Sequence, residues 1–146
     1  MLPQLLKVKI SHIRWHDAEK LLREIRTRVF IDEQHVPVVL EWDELDATAQ
    51  HLLAVNNANE PIACARILHN GSIGRMAVLK EWRGLGVGFA LLQQAIEMHQ
   101  QQGVKLITLS AQTHAILFYE KAGFEVISKP YLDAGILHVD MSLKSL

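Results

Sequence analysis

Apolar and polar residues alternate from Lys7 to Ser11, with Val8 and Ile10 on one side and Lys7 and Lys9 on the other, which predicts a half-buried strand. The period then changes. Asp17 offers a helix N-cap, and Ala18, Leu21, Leu22, Ile25 and Val29 recur at helical spacing, while Glu19/Arg23 and Glu24/Arg28 stand four apart on the polar side. From Phe30 to Thr48 the pattern is lost: Pro37 and many acids predict an irregular segment, with at most a short helical turn, that takes no part in core packing. Three short apolar runs follow, His51–Val55, Pro61–Leu68 and Ser72–Val78, separated by Asn56, Asn57 and Asn59 and then by Asn70 and Gly71. They predict antiparallel strands joined by hairpin turns. Beyond the glycines at 84, 86 and 88, Phe89–Gln102 predicts a helix with Leu92, Ala95 and Ile96 on one face and Gly103 as its stop. Val104–Leu109 predicts a strand, Ala115–Ala122 a helix ended by Gly123, and Phe124–Ser128 and Ile136–Leu143 two further strands.

This order implies an α+β fold, a mixed and mostly antiparallel sheet flanked by helices. The strand-helix-strand connection across Gly84 to Leu109 forces one parallel pair. With 146 residues and no repeat, the chain fits a single domain, residues 1–146.

Composition narrows the classes of function. A chain that is 49% hydrophobic and 21% charged is ordinary for a globular protein, and no run approaches the ~20 apolar residues of a membrane span. The net charge of -1 leaves no basic surface for displacing the counterions of nucleic acid. Neither a membrane nor a nucleic acid is therefore an expected partner. Met1 to Ser11 lacks the basic head, apolar body and cleavage site of a signal peptide, and the lone Cys64 can form no intrachain disulfide, so the expected compartment is the cytoplasm. Cys64 itself reads as a small core residue. His12 and His16 stand four apart with no intervening Glu and no third ligand nearby, and no metal site is expected. Trp15, Trp42 and Trp82 read as packing residues or as anchors of a dimer face, which leaves monomer and homodimer open.

Charge distribution says more than the total. Between Val29 and Ala65 there is no Lys or Arg, yet the stretch holds Asp32, Glu33, Glu41, Asp43, Glu44, Asp46 and Glu60, an excess suited to attracting a cation or to forming a solvated acidic loop. The opposite character gathers at Arg83, Gly84, Leu85, Gly86, Val87 and Gly88, between a strand and a helix. Glycines there let the backbone approach a ligand closely, the helix N-terminus adds unpaired N–H groups, and Arg83 adds a full charge, which together make an anion seat suited to a diphosphate. A Walker A loop is excluded because no Gly-Lys-Ser/Thr follows. A nicotinamide dinucleotide site lacks its acid, since no Asp or Glu lies between Glu97 and Glu120.

Arg83, Gly86 and Gly88, coming after the strand Gly74, Arg75, Met76, Ala77, Val78, resemble the pyrophosphate-binding signature of the GCN5-related N-acetyltransferases, the GNAT family. The segment Ala115 to Phe124 is similar to that family's other CoA-side motif, about 30 residues downstream, and the family's strand order matches the one above. Arg28, Val29, Phe30, Glu33, Gln34, Val36, Pro37, Glu41, Asp43, Asp46 and His51 further resemble the ElaA-like subgroup.

The resemblance implies a sheet splayed between the fourth and fifth strands, with the pantetheine of acetyl-CoA paired to Met76, Ala77 and Val78. It also implies a CoA site completed by Arg83 to Gly88, by Gln112, which stands where many relatives have asparagine, and by Tyr119. Tyr119 would protonate or hydrogen-bond the departing thiolate. Glu33, Glu41, Asp43 and Asp46 are candidates for general base or for orienting a cationic amine, Glu33 first because it lies just beyond the first helix, which the family places beside the acceptor, with Arg28, Glu41, Asp43 and His138 on the acceptor side. His138 faces opposite Leu137 and Val139, consistent with lining a cleft, whereas His51 reads as a structural histidine. The implied activity is direct transfer of an acetyl group to a primary amine; the alternative is a non-catalytic acyl-CoA sensor on the same fold.

Overall fold

Eight strands join in one mixed sheet in the computed structural model of the protein, which describes residues 7–144. Residues 1–6 and 145–146, part of the expected single domain and of the N-terminal segment read above, lie outside the described residues. In chain order the elements are β1 (Lys9–Arg14), α1 (Trp15–Arg26), a π-helical stretch (Thr27–Glu33), the short α2 (Val38–Glu41), β2 (Gln50–Val55), β3 (Pro61–Ile67) and β4 (Ser72–Val78). There follow α3 (Val87–Gln101), β5 (Leu106–Gln112), α4 (Ile116–Glu120), β6 (Glu125–Val126), β7 (Tyr131–Asp133) and β8 (Ile136–Lys144). The sheet order is β1-β2-β3-β4-β5-β8-β6, with β7 paired to the free stretch of β8, and every pairing is antiparallel except β4 with β5.

The central strands read as near-continuous apolar runs because both of their faces are covered. Leu52, Ala54, Ala63, Ala65 and Ile67 point toward α3, where they meet Leu91, Leu92 and Ala95. The alternate residues Leu53, Cys64 and Ala77 point toward Leu22 and Ile25 of α1 and Val29 of the π-helical stretch. Each leucine, isoleucine or valine among them taken fully out of water contributes about 1.5–3 kcal/mol, so the two clusters fix α1 and α3 on opposite faces.

The structure departs from the sequence pattern in instructive places. α1 begins at Trp15 rather than after Asp17, and Ala18 breaks its geometry at φ -140°, ψ 20°. Asp17 caps nothing; its carboxylate accepts a bond from Arg14 Nε at 3.2 Å. Helical backbone continues through Glu33 as a π-helical stretch, so the irregular segment starts later than Phe30. That segment also packs in the core, because Glu41 and Asp46 are both buried. β5 runs on to Gln112, the strand expected over Phe124–Ser128 shrinks to Glu125–Val126, and β7 appears where none was expected. β7 and β8 close through Ala134 (φ 52°) and Gly135 (φ 78°), a two-residue turn with both φ positive. Ala-Gly is not the usual signal for that turn, and a three-residue strand carries too little alternation to be read.

Candidate functional site

The parallel pair is short: β4 and β5 meet only at Ser72 with Thr108 and at Ile73 with Leu109. The cause lies in β4. Between Cys64 and Arg66 of β3 the register slips by one residue, and β4 absorbs the extra residue at Arg75, whose φ is 45°. A bulge bends its strand, and from Gly74 onward β4 leaves β5, which stays paired with β8 on its other side. The gap is a cleft of about 1290 Å³.

One wall of the cleft is an open backbone edge. Leu79 N–H donates to Ile62 O at 2.9 Å, so residues 77 and 79 face β3 and the main-chain groups of Met76 and Val78, one step out of phase, face the gap. At the end of that edge lies the glycine turn. Gly84 and Gly86 take φ of 75° and 88°, and Gly86 is the N-cap of α3. No atom lies within 4 Å of a Cβ added at either, so their backbone stands open to a ligand. Gly88 is different: a Cβ there would meet Val78 Cγ2 at 3.4 Å and the Phe118 ring at 3.6 Å, so it brings α3 close to β4.

Arg83 donates through Nε to Val78 O at 2.9 Å, and its other two nitrogens hold Glu33 in a fork of 2.6 and 2.7 Å. That hydrogen bond, against a smaller opposing effect of burial, holds the Glu33 carboxyl below its ordinary range. The same planar fork suits a phosphate. Tyr119 packs edge-on against Phe118 and Phe124, with centroids at 5.0 and 6.1 Å, and burial pushes its phenol up to about 12. Across the cleft, Gln112 donates through Nε2 to Gln34 Oε1 at 2.8 Å and accepts from His114 Nε2 at 2.6 Å.

Met76, Ala77, Val78, Arg83, Gly84, Gly86, Gly88, Gln112, Tyr119, Glu33, Glu41 and His138 all line this one cleft. Leu85 and Val87 do not; Val87 is buried at the start of α3, which leaves only its backbone groups for any contact with a ligand. Arg28 and Asp43 also lie off the wall, contrary to the expected acceptor set. Arg28 pairs with Glu81 at 3.0 Å, and Asp43 is held by Arg66 at 2.8 Å and Arg75 at 3.4 Å.

The acidic segment is matched from within. Arg26, 1% exposed, donates to Glu41 Oε2 at 2.8 Å and to Asp46 Oδ1 at 2.7 Å, while Arg66 reaches Asp46 at 3.0 Å and Arg75 reaches Glu41 at 3.2 Å. The Arg26 guanidinium lies over the Trp42 and Trp15 rings at 4.9 and 5.5 Å. Burial lifts the Glu41 carboxyl above its ordinary value in spite of Arg75 and Arg26. In the free protein, neither cation attraction nor a solvated loop describes Glu33, Glu41, Asp43 and Asp46, which are matched by Arg83, Arg75, Arg26 and Arg66 from outside the Lys- and Arg-free segment. Sequence reasoning also missed Arg75, Ser110, His114 and Asp133, which line the cleft. Alternation along β5, once extended to Gln112, was the signal for Ser110.

A splayed sheet with an open backbone edge leading to a glycine turn and a helix N-terminus forms a cleft shaped for an extended, anion-ended ligand. The chain belongs to the GNAT acetyltransferases: the family model described as an acetyltransferase (GNAT) domain matches residues 14–145. It is an acyltransferase of that family. Among relatives, the chain is 36% identical over 121 residues to the uncharacterized N-acetyltransferase YjcF of Bacillus subtilis, covering 80% of this chain and 86% of the relative. It is 33% identical over 129 residues to the protein ElaA of Escherichia coli, covering 83% and 84%. The ElaA crystal structure superposes with a TM-score of 0.83, covering 92% of this chain and 98% of that one at 28% identity. That of an acyl-CoA N-acyltransferase from Pseudomonas aeruginosa does so with a TM-score of 0.79, covering 94% and 98% at 30% identity.

Proposed function

We propose that the protein transfers the acetyl group of acetyl-CoA directly to a primary amine held in the same cleft. The observation that carries this reading is the open edge of β4 running into the Gly84–Gly86 turn at the start of α3. The residues fit the donor. Backbone N–H groups over Gly84 to Gly88, the α3 N-terminus and Arg83 would take the diphosphate. The main-chain groups of Met76 and the N–H of Val78, whose carbonyl already accepts from Arg83 Nε, would pair with the pantetheine arm, with the Gln112 amide on the facing wall. The Tyr119 phenol keeps its proton at neutral pH and donates a hydrogen bond to the departing thiolate; full transfer to a thiolate of pKa about 8.5 is uphill, and none is needed.

The acceptor half of the cleft joins Val29, Phe30, Val36 and Leu40 to polar Gln34, Asp133 and His138. That lining favours an amine carried on an apolar body. Glu33 attracts and orients the ammonium once the diphosphate draws Arg83 away. Glu41 contributes by holding Arg75 and the α2 wall in place.

The test is thiol release from acetyl-CoA in the presence of spermidine, benzylamine and a short peptide with a free N-terminus. Acceleration by at least one amine, with acetylated amine as product, is the expected outcome. Acetyl-CoA binding with no amine turned over would point instead to a non-catalytic acyl-CoA sensor.

A further inference from the structure

We infer that His138 is the base that takes the proton from the acceptor ammonium. This rests on the acetyl-transfer reading above and adds a residue to it. An alkyl ammonium has a pKa near ~10.4 and must lose a proton before its nitrogen can attack. Most carboxylates and rings on the cleft wall are unsuited to receive it. Glu33 is paired with Arg83 in the free protein and becomes the counter-ion that orients the ammonium once Arg83 is drawn away, and Glu41 is buried between Arg26 and Arg75. Tyr119 keeps its own proton to about 12. The His114 ring is exposed and its Nε2 is committed to Gln112 Oε1. Asp133 is an exposed carboxylate beside the β7–β8 turn.

His138 combines a fixed tautomer with a half-buried ring on the cleft wall. Its Nδ1 lies 2.7 Å from Ile136 O, and a carbonyl oxygen only accepts, so Nδ1 carries a hydrogen in the neutral ring and in the imidazolium alike. The lone pair of the neutral ring is therefore on Nε2. That atom has no hydrogen-bond partner among the described residues, and the half-buried ring lines the cleft.

The ring is also held in place. His138 stands opposite Gln112 on β5 and opposite Tyr131 on β7, and it stacks on the Tyr131 ring at 6.1 Å and 23°. Tyr131 is anchored in turn by donating to Asp140 Oδ1 at 2.6 Å and by a short hydrogen bond with Ser110. The titratable groups around this position are Tyr131 and Asp133 of β7, Asp140 of β8, His114 after β5, Lys121 after α4 and Glu33 across the cleft.

The step balances as follows in atoms and charge. The ammonium gives one proton to Nε2, the freed lone pair forms the C–N bond to the thioester carbonyl carbon, and the C–S bond breaks with its electrons on sulfur. The second proton lost by nitrogen offsets the one the thiolate gains. The products are the amide, the thiol and an imidazolium that returns its proton to water.

The experiment compares wild type with His138→Asn, whose amide still offers a donor to Ile136 O but has no basic nitrogen. Acetyl transfer to whichever of spermidine, benzylamine and the peptide the wild type uses is followed against pH, with acetyl-CoA-dependent thermal stabilisation as the measure of folding and donor binding. Expected are unchanged stabilisation, kcat/KM at pH 7 lower by about 10²-fold or more, loss of the acid limb of the profile, and a deficit that shrinks as pH approaches the ammonium pKa. Nitrogen-15 spectra of histidine-labelled protein should assign to His138 a protonated Nδ1 and a bare Nε2. An Nε2–H tautomer, or a variant with an unaltered pH profile, would overturn the inference while leaving acetyl transfer standing. Failure of the wild type with every amine would remove both.

Discussion

At the scale of single residues, local surroundings decide which groups hold their protons. Tyr119 is pressed among Phe118, Phe124 and the cleft wall, and its proton is retained to about 12. The unfolded chain releases that proton near ~10. Folded protein therefore binds more protons in this interval, and the stability from Tyr119 is present below pH 10 and lost as pH rises toward 12. Cys64, also raised to about 12 by burial, adds a slope of the same sign. The decline of urea-unfolding stability between pH 9 and about 11 should accordingly be shallower in Tyr119→Phe than in wild type. The same variant should lose about tenfold or more in kcat with acetyl-CoA affinity retained, because only the leaving thiolate feels the missing hydroxyl. Arg83→Ala should act the other way, weakening acetyl-CoA binding while freeing Glu33; calorimetric titration separates the two.

At the scale of elements, the Arg26 cluster adds buried ion pairs to the hydrophobic packing of α1 against β3 and Trp42. It ties α1 to α2 and to the loop before β2, and Arg66 of β3 joins through Asp46. Removing one member of such a buried set leaves the others uncompensated, at a cost of about 3–5 kcal/mol. Asp46→Ala should thus lower unfolding stability by that order and exceed any single exposed pair, such as Arg23 with Glu19 at 2.8 Å, whose loss should cost under about 1 kcal/mol. Chemical denaturation of the two variants provides the comparison. The bulge in β4 belongs here as well. Arg75 is held at φ 45° while its guanidinium donates to Glu41 O at 3.0 Å, so the device that opens the cleft is braced by the same acidic segment.

At the scale of the whole molecule, the two halves of the sheet are joined through only two residue pairs between β4 and β5. Amides of Met76 and Val78 should exchange hydrogen faster than that of Leu79, which donates to Ile62 O, and acetyl-CoA should slow the first two selectively. At about 100 times its Kd the ligand should also stabilise the fold by about 2.7 kcal/mol. Equal exchange at residues 76, 78 and 79 would contradict the open edge. The sequence by itself determined the succession of helices and strands apart from β7, the apolar runs of β2, β3 and β4, and the glycine turn with Arg83, because each is written in spacing within a short stretch. It did not reveal the bulge at Arg75, the three-residue β7, or the partners of its acids, since Glu33 finds Arg83 and Asp46 finds Arg26 and Arg66 across many intervening residues. Only the tertiary structure decided which acids remain free for a substrate and which nitrogen of His138 stands bare, because both depend on neighbours that folding brings together from distant parts of the chain.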